Sequence, residues 1–385
     1  MNLQPSIRLG SSVGGFSPAT LFSASEPGAW YDPSDLTTMF QDTAGTVPVT
    51  AAGQTVALML DKSLGLTMGS ELRSTGAPAL LGVAPTATFD TATGAATATT
   101  VTSINLSGVS FTGLSNRSYR VAVSVGSGSA SSVRLRSGGL NGTAIADIPA
   151  GQSGTWTMVP TGGQISLTAV TDATTATFTV SSVRELPGNH ATQATVASRP
   201  QYQIDTSGRP FLLFDGTDDW LLTPTITPGA NAAQAFAGVR KLNDATTNVL
   251  FESSGVSTTN PGTIGIFAPS GAAANYSWRS QGSNTGISAT ATTFTAPITN
   301  VVTGIGDIAA DTCILRVNGA QVGSTASDQG TGNYLAYPIY IGRRNGTSFP
   351  FNGRIYSLIV RFGANLSAAQ IGQVEAWVNA RTGAF

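Results

Sequence analysis

Apolar and polar residues alternate with a period of two along most of this chain. In "SYRVAVSV", Tyr119, Val121, Val123 and Val125 fall on one face, with Arg120, Ala122 and Ser124 on the other. Successive side chains of a strand point to opposite faces, so the run predicts a half-buried strand. "SVRLRSGG", "GTWTMVP", "QISLTAV" and "ATFTVSSVREL" repeat the pattern, with Gly, Asn and Ser between them. Strands at this spacing, with no helical period between them, predict an antiparallel sandwich over residues 84–187. From 205 onward "PFLLFDG", "QAFAGVRK", "NVLFES", "TIGIFAP", "YSWRS", "NVVTGIGD", "CILRVNGAQVG", "YPIYIGRR" and "GRIYSLIVRFG" predict a second one. Within it, Asn318-Gly319 reads as the tip of a hairpin.

Only the tail has a helical period. In "LSAAQIGQVEAWVNARTG", Ser367 and Gln370 form an S-x-x-Q capping box, and Gly383 ends the segment. Ile371, Val374 and Val378 make one apolar stripe, which predicts a helix packed on the second sandwich. Elsewhere the alternation is lost. Residues 1–83 carry few strand signals, and "DPSDL" offers turn and N-cap residues for a short helix with Leu36, Met39 and Phe40 on one side. So small and Gly-rich a segment would struggle to build a large core alone, so it is expected to be an attachment arm or adaptor. The Pro- and Gly-containing "ELPGNHATQATVASRPQY" reads as a linker, taken as 188–204. The expected fold is all-β: two antiparallel sandwiches, 84–187 and 205–385, with an N-terminal arm and one C-terminal helix.

Charge narrows the partners. Charged residues make up 10% of the chain, the formal net charge is −1, and no basic run occurs, so no electrostatic case exists for nucleic acid. The single cysteine, Cys313, excludes an internal disulfide and a thiolate metal cluster, and its strand-like context predicts a small buried hydrophobe. "MNLQPSIRLGSSVGGFSPATLF" holds no apolar core of a secretory signal, and no stretch is long enough to span a bilayer. The expectation is a soluble protein made in the cytoplasm.

"FDGTDDWLL" sets Asp215, Asp218 and Asp219 between apolar residues. They form either a turn or a site for chemistry. As a turn, Asp215 caps Gly216, Asp218 and Asp219 are solvated or accept from nearby N–H groups, and Trp220 joins the core. As a metal site they lack EF-hand spacing. The one histidine, His190, lies in the expected linker and reads as a surface or domain-contact residue, because zinc and nucleophilic sites need several clustered ligands or a held imidazole. Glutamates are few, and nothing nominates a glycosidase pair, so no catalytic residue and no cofactor is assigned. Binding asks for less: aromatic platforms and polar loops on a rigid scaffold. "NYSWRSQGSN" and "GRRNGTSFP" place Trp278, Arg279, Arg343 and Arg344 at or near strand ends, which makes these four the candidate carbohydrate-binding residues. The alternative is that the aromatics pack inward and the arginines are merely solvated.

"FLLFDGTDDWL", "LRVNGAQVG", "YIGRRNG", "FNGRIYSLIV" and the terminal helix, in that order, resemble a laminin-G-like (concanavalin-A-like) jelly roll of the kind found in bacteriophage virion and tail proteins. The likeness covers roughly residues 205–385. The segment ending "FTVSSVRELPGNHATQATVASRP" resembles the carbohydrate-binding-module-like sandwich that precedes such domains, and "GAWYDPSDLTTMFQDTAGTVPVT" is similar to an N-terminal segment of the same proteins. The resemblance implies a virion location and contacts with other virion proteins through residues 1–83. It also implies a homo-oligomer with no membrane insertion. Many laminin-G-like domains hold one calcium ion at the sandwich rim, so calcium at the aspartates stays open. Two functions fit: a tail or fibre adhesin touching host surface glycans, or a capsid or tail decoration protein with no specific glycan ligand.

Overall fold

A computed structural model describes residues 15–22, 26–73, 79–81, 87–100, 108–115, 117–283 and 286–385. The protein is all-β, in two antiparallel sandwiches, with one helix at its C-terminal end. The smaller sandwich faces a sheet of Ser153–Met158, Tyr119–Val125, Thr174–Glu185, Ala95–Thr100 and Ala87–Phe89 against one of Thr143–Ile148, Val133–Ser137, Ile165–Ala169, Gly108–Phe111 and Ala79–Leu81. The alternation sets what is buried: Tyr119, Val121, Val123 and Val125 all point into the core that Leu135, Leu167 and Phe178 complete.

The larger sandwich has a front and a back sheet. The front runs Gln201–Ile204, Pro210–Asp215, Asn352–Phe362, Ala232–Lys241, Ile298–Asp307, Thr312–Val317 and Ala320–Thr325. The back ends in Ile339–Ile341, Val249–Ser253, Thr263–Phe267, Asn275–Gln281 and Ile287–Thr292. Between the two lies a core of Phe214, Leu250, Phe251, Ile266, Tyr276, Trp278, Leu315 and Phe351. Each such side chain contributes about 1.5–3 kcal/mol by leaving water. The hairpin tip is where the sequence puts it: Asn318 and Gly319 both adopt positive φ, at 51° and 79°, as a two-residue turn of this type requires.

The helix, Ala368–Thr382, starts at Ser367 with its capping box formed and stops at Gly383 in the left-handed conformation. Val374 and Val378 press on Phe236, Val301 and Ile359 of the front sheet's outer face, making a third layer. Trp30 completes that layer, its ring edge-on to Trp377 at 5.5 Å.

The N-terminal segment docks on this sandwich itself. Gly28–Tyr31 pairs with the end of Asn352–Phe362 that Pro210–Asp215 leaves free, and Met39–Phe40 and Leu58–Met59 extend the back sheet. "DPSDL" gives a three-residue 3-10 turn, Leu36–Thr38, capped by Asp35, in place of the longer helix expected from Leu36, Met39 and Phe40. Met39 and Phe40 run straight into a strand. The stretch read as a linker holds Ala191–Thr192, which joins Leu58–Met59 to Leu221–Leu222, and Gln201–Ile204. Two-residue strands are too short to display a period, which hid them.

Candidate functional site

Two of the three stretches with candidate chemistry, 214–222 and 342–350, meet at the rim of the larger sandwich. Asp215 accepts from the N–H groups of Thr217 (2.7 Å) and Asp218 (3.3 Å), so it caps the turn through its side chain. Asp219 accepts from the N–H of Asp215 at 3.0 Å, and Asp218 from the Ser198 hydroxyl at 2.8 Å. Across from them Arg343 donates to the carbonyls of Asp218 (3.4 Å) and Thr347 (3.1 Å). Trp220 stops short of the core: half-buried, it stacks on Tyr340 with centroids 5.9 Å apart and sits so close over Gly346 that a Cβ there would collide with the indole.

The three carboxylates can each turn an oxygen to a common point, within 4.8 Å of one another. Burial, reinforced by Asp215 and Asp218, pushes the Asp219 carboxyl up to about 7. The donor set is all oxygen, as calcium prefers, but one oxygen of each carboxylate already holds a turn N–H or a hydroxyl. The turn thus already uses an oxygen of each of the three residues, and three carboxylates alone fall short of the 6–8 ligands calcium takes.

Of the four expected binding residues, Trp278 and Arg344 are buried and Arg279 and Arg343 half-buried. Trp278 is fully buried, on the inward face of Asn275–Gln281, over Gly304 of the opposite sheet, where a Cβ would strike the ring. The period-two pattern of "NYSWRSQ" turns Tyr276 and Trp278 inward together, and this outweighs their nearness to a loop. Arg344 is 8% exposed. Its Nε donates to Glu252 Oε1 at 2.9 Å and its terminal nitrogen to Oε2 at 3.1 Å, while Ser257 donates to the same carboxylate at 2.6 Å. Arg279 closes on this cluster, donating to the Ser257 carbonyl at 2.9 Å. Arg279 and Arg344 therefore anchor an internal network, and of the four only Arg343 lies at the rim.

His190 is likewise inside, 2% exposed, its Nδ1 accepting from the N–H of Asp61 at 2.9 Å. Burial draws its pKa down to about 4, so the imidazole is neutral at physiological pH. Asp61 in turn accepts from the N–H groups of Trp30, Ser63 and Asn189, tying the N-terminal segment to the stretch after the small sandwich. Cys313 is buried as expected, its thiol pushed up to about 12.

One feature escaped the sequence altogether. On the outer face of the front sheet, beside the end of the helix, lies an open groove of about 590 Å³ lined by Gln203, Ser207, Arg209, Arg240, Thr299 and Arg354 among others. Its residues come from five separate segments, and no local run signals them.

No protein-family model matches the chain, and no curated protein is similar to it in sequence. Among solved structures, the sialidase carbohydrate-binding module (CBM40) of Ruminococcus gnavus bound to α2,3-sialyllactose is 14% identical, with a TM-score of 0.32, over 38% of this chain and 84% of that one. A pentraxin of Limulus polyphemus is 14% identical, TM-score 0.34, over 42% of this chain and 80% of that one. The binding domain of botulinum neurotoxin serotype D/C is 12% identical, TM-score 0.35, over 48% and 49%. Overlaps this low give no basis for a shared activity or a shared site.

Proposed function

We propose that this protein is a non-enzymatic contact protein of a bacteriophage virion, held to other virion proteins in a homo-oligomer, whose larger sandwich touches host surface glycans. The observation that carries the binding half is the groove on the front sheet: open, of ligand-holding size, and floored by strands, with the turn 205–209 and the helix end at its margin. A pocket on a sheet face is already shaped before a ligand arrives, which lowers the cost of binding. The virion half rests on the ordered motifs that resemble those of phage tail proteins. A decoration protein without a glycan ligand is the second reading, favoured by one observation: Trp278 and Arg344, the residues most suited to a sugar, are internal.

Fluorescently labelled full-length protein, added to host cells before and after periodate oxidation of their surface glycans, separates the two. Binding that periodate abolishes supports the adhesin. No binding to untreated cells removes it and leaves the decoration protein.

A further inference from the structure

The helix packs on the outer face of Ala232–Lys241, Ile298–Asp307 and Asn352–Phe362. It ends over Gly238, where Val378 and Thr382 press so closely that a Cβ would not fit. Two residues further along the same face stands Arg240, and directly across from it on the neighbouring strand stands Arg354. Their inward neighbours Val239 and Ile355 are core, so both guanidinium groups face the groove. Like charges directly opposite one another across a sheet are unfavourable. No carboxylate pairs with them: among the described residues neither Arg240, Arg354 nor the nearby Arg209 forms an ion pair, and the Nε atoms of Arg240 and Arg354 are buried without a hydrogen-bond partner.

The groove's one carboxylate does not fill the gap. Asp205 accepts from the N–H groups of Ser207 (2.8 Å) and Arg209 (2.9 Å) and from the Tyr356 hydroxyl (3.2 Å), so it serves its own turn. Arg354 is held over Phe211, 4.6 Å from the ring centroid, and Arg240 donates to the Thr299 hydroxyl at 3.0 Å. Three cations thus line one groove of a chain with net charge −1, and two of them, Arg240 and Arg354, are held in place with donors left over.

We propose that this groove binds an acidic saccharide, with a carboxylate or sulfate group bridging Arg240 and Arg354. An oxyanion accepts from planar guanidinium forks in pairs, which answers both the repulsion and the unused donors. The volume of about 590 Å³ exceeds what a lone ion needs, and Gln203, Ser207 and Thr299 offer hydrogen bonds to ring hydroxyls. The proposal rests on the glycan-contact reading and names its site and ligand class.

The test is calorimetric titration of the full-length protein at low salt with an oligogalacturonate, a heparin-derived hexasaccharide, neutral maltohexaose and inorganic sulfate. At least one charged saccharide should bind, more tightly than sulfate or maltohexaose. The double variant Arg240→Gln, Arg354→Gln should lose at least tenfold in affinity while melting no lower than the parent. Equal binding by parent and variant, no binding of either charged saccharide, or sulfate binding as tightly as they do would each overturn the proposal. If maltohexaose binds and the charged probes do not, the groove assignment falls while glycan contact stands. If the charged probes bind but host cells are not bound, the groove stands and adhesion falls.

Discussion

Arg344→Ala should unfold the larger sandwich far more readily than Arg343→Ala, although the two residues are neighbours in sequence. Glu252 has no exposed side-chain surface and Arg344 only 10%. Truncating the arginine strands a buried carboxylate with a single remaining partner, the Ser257 hydroxyl at 2.6 Å. Removing one member of a buried pair costs about 3–5 kcal/mol, chiefly through the charge left behind. The lost contact of the guanidinium with Phe349, 4.9 Å from the ring centroid, adds up to about 1 kcal/mol. Arg343 by contrast makes two carbonyl contacts, of 3.1 and 3.4 Å, at a half-open rim, and should cost about 1 kcal/mol or less. For a sandwich of this size the difference amounts to roughly 6–15 °C in the melting midpoint. Urea and thermal unfolding followed by tryptophan fluorescence would read it, since Trp278 lies in the same sandwich. The pair Glu252→Leu, Arg344→Met should recover most of the loss, because a matched apolar replacement leaves no orphan charge. Equal midpoints for the two single alanine variants would refute the reasoning, as would a double replacement no more stable than Arg344→Ala.

Asp219, its carboxyl raised to about 7 against about 4 in an unfolded chain, binds its proton more tightly when folded. Its contribution is therefore complete below pH 4 and lost as pH rises through 7; the parent should lose about 2 kcal/mol between pH 5 and pH 8, and Asp219→Asn should flatten the profile. EDTA should leave the melting of the parent unchanged at either pH, and a drop restored by added calcium would put an ion at the three aspartates instead. Trp30→Ala should cost about 3–5 kcal/mol in the same unfolding assay, because the ring is sealed between the helix and the front sheet; a shift under 0.5 kcal/mol would mean the N-terminal segment is detachable.

The sequence carried the fold where a single residue's neighbours determine its environment. Tyr119 to Val125 alternate because one face of that strand meets a core and the other meets solvent, and Ser367, Gln370 and Gly383 mark helix ends by local hydrogen bonding. Asp215 was legible as a turn for the same reason: the N–H groups that donate to its carboxylate lie within three residues. Trp278 shows where local reasoning ends. Its place in the core depends on Gly304, twenty-six positions away on another sheet, which leaves room for the indole. Arg344 depends in the same way on Glu252 and Ser257, so its charge is cancelled by residues that its own loop does not contain. The groove is the extreme case. Arg240 and Arg354 face each other through a register set by the two strands' apolar faces, and neither stretch of sequence shows a basic cluster. Charge in this protein therefore has to be read from pairing across strands: where a carboxylate is supplied, as at Arg344, an arginine builds the fold, and Arg240 and Arg354, which face each other with no carboxylate between them, carry the proposed groove site.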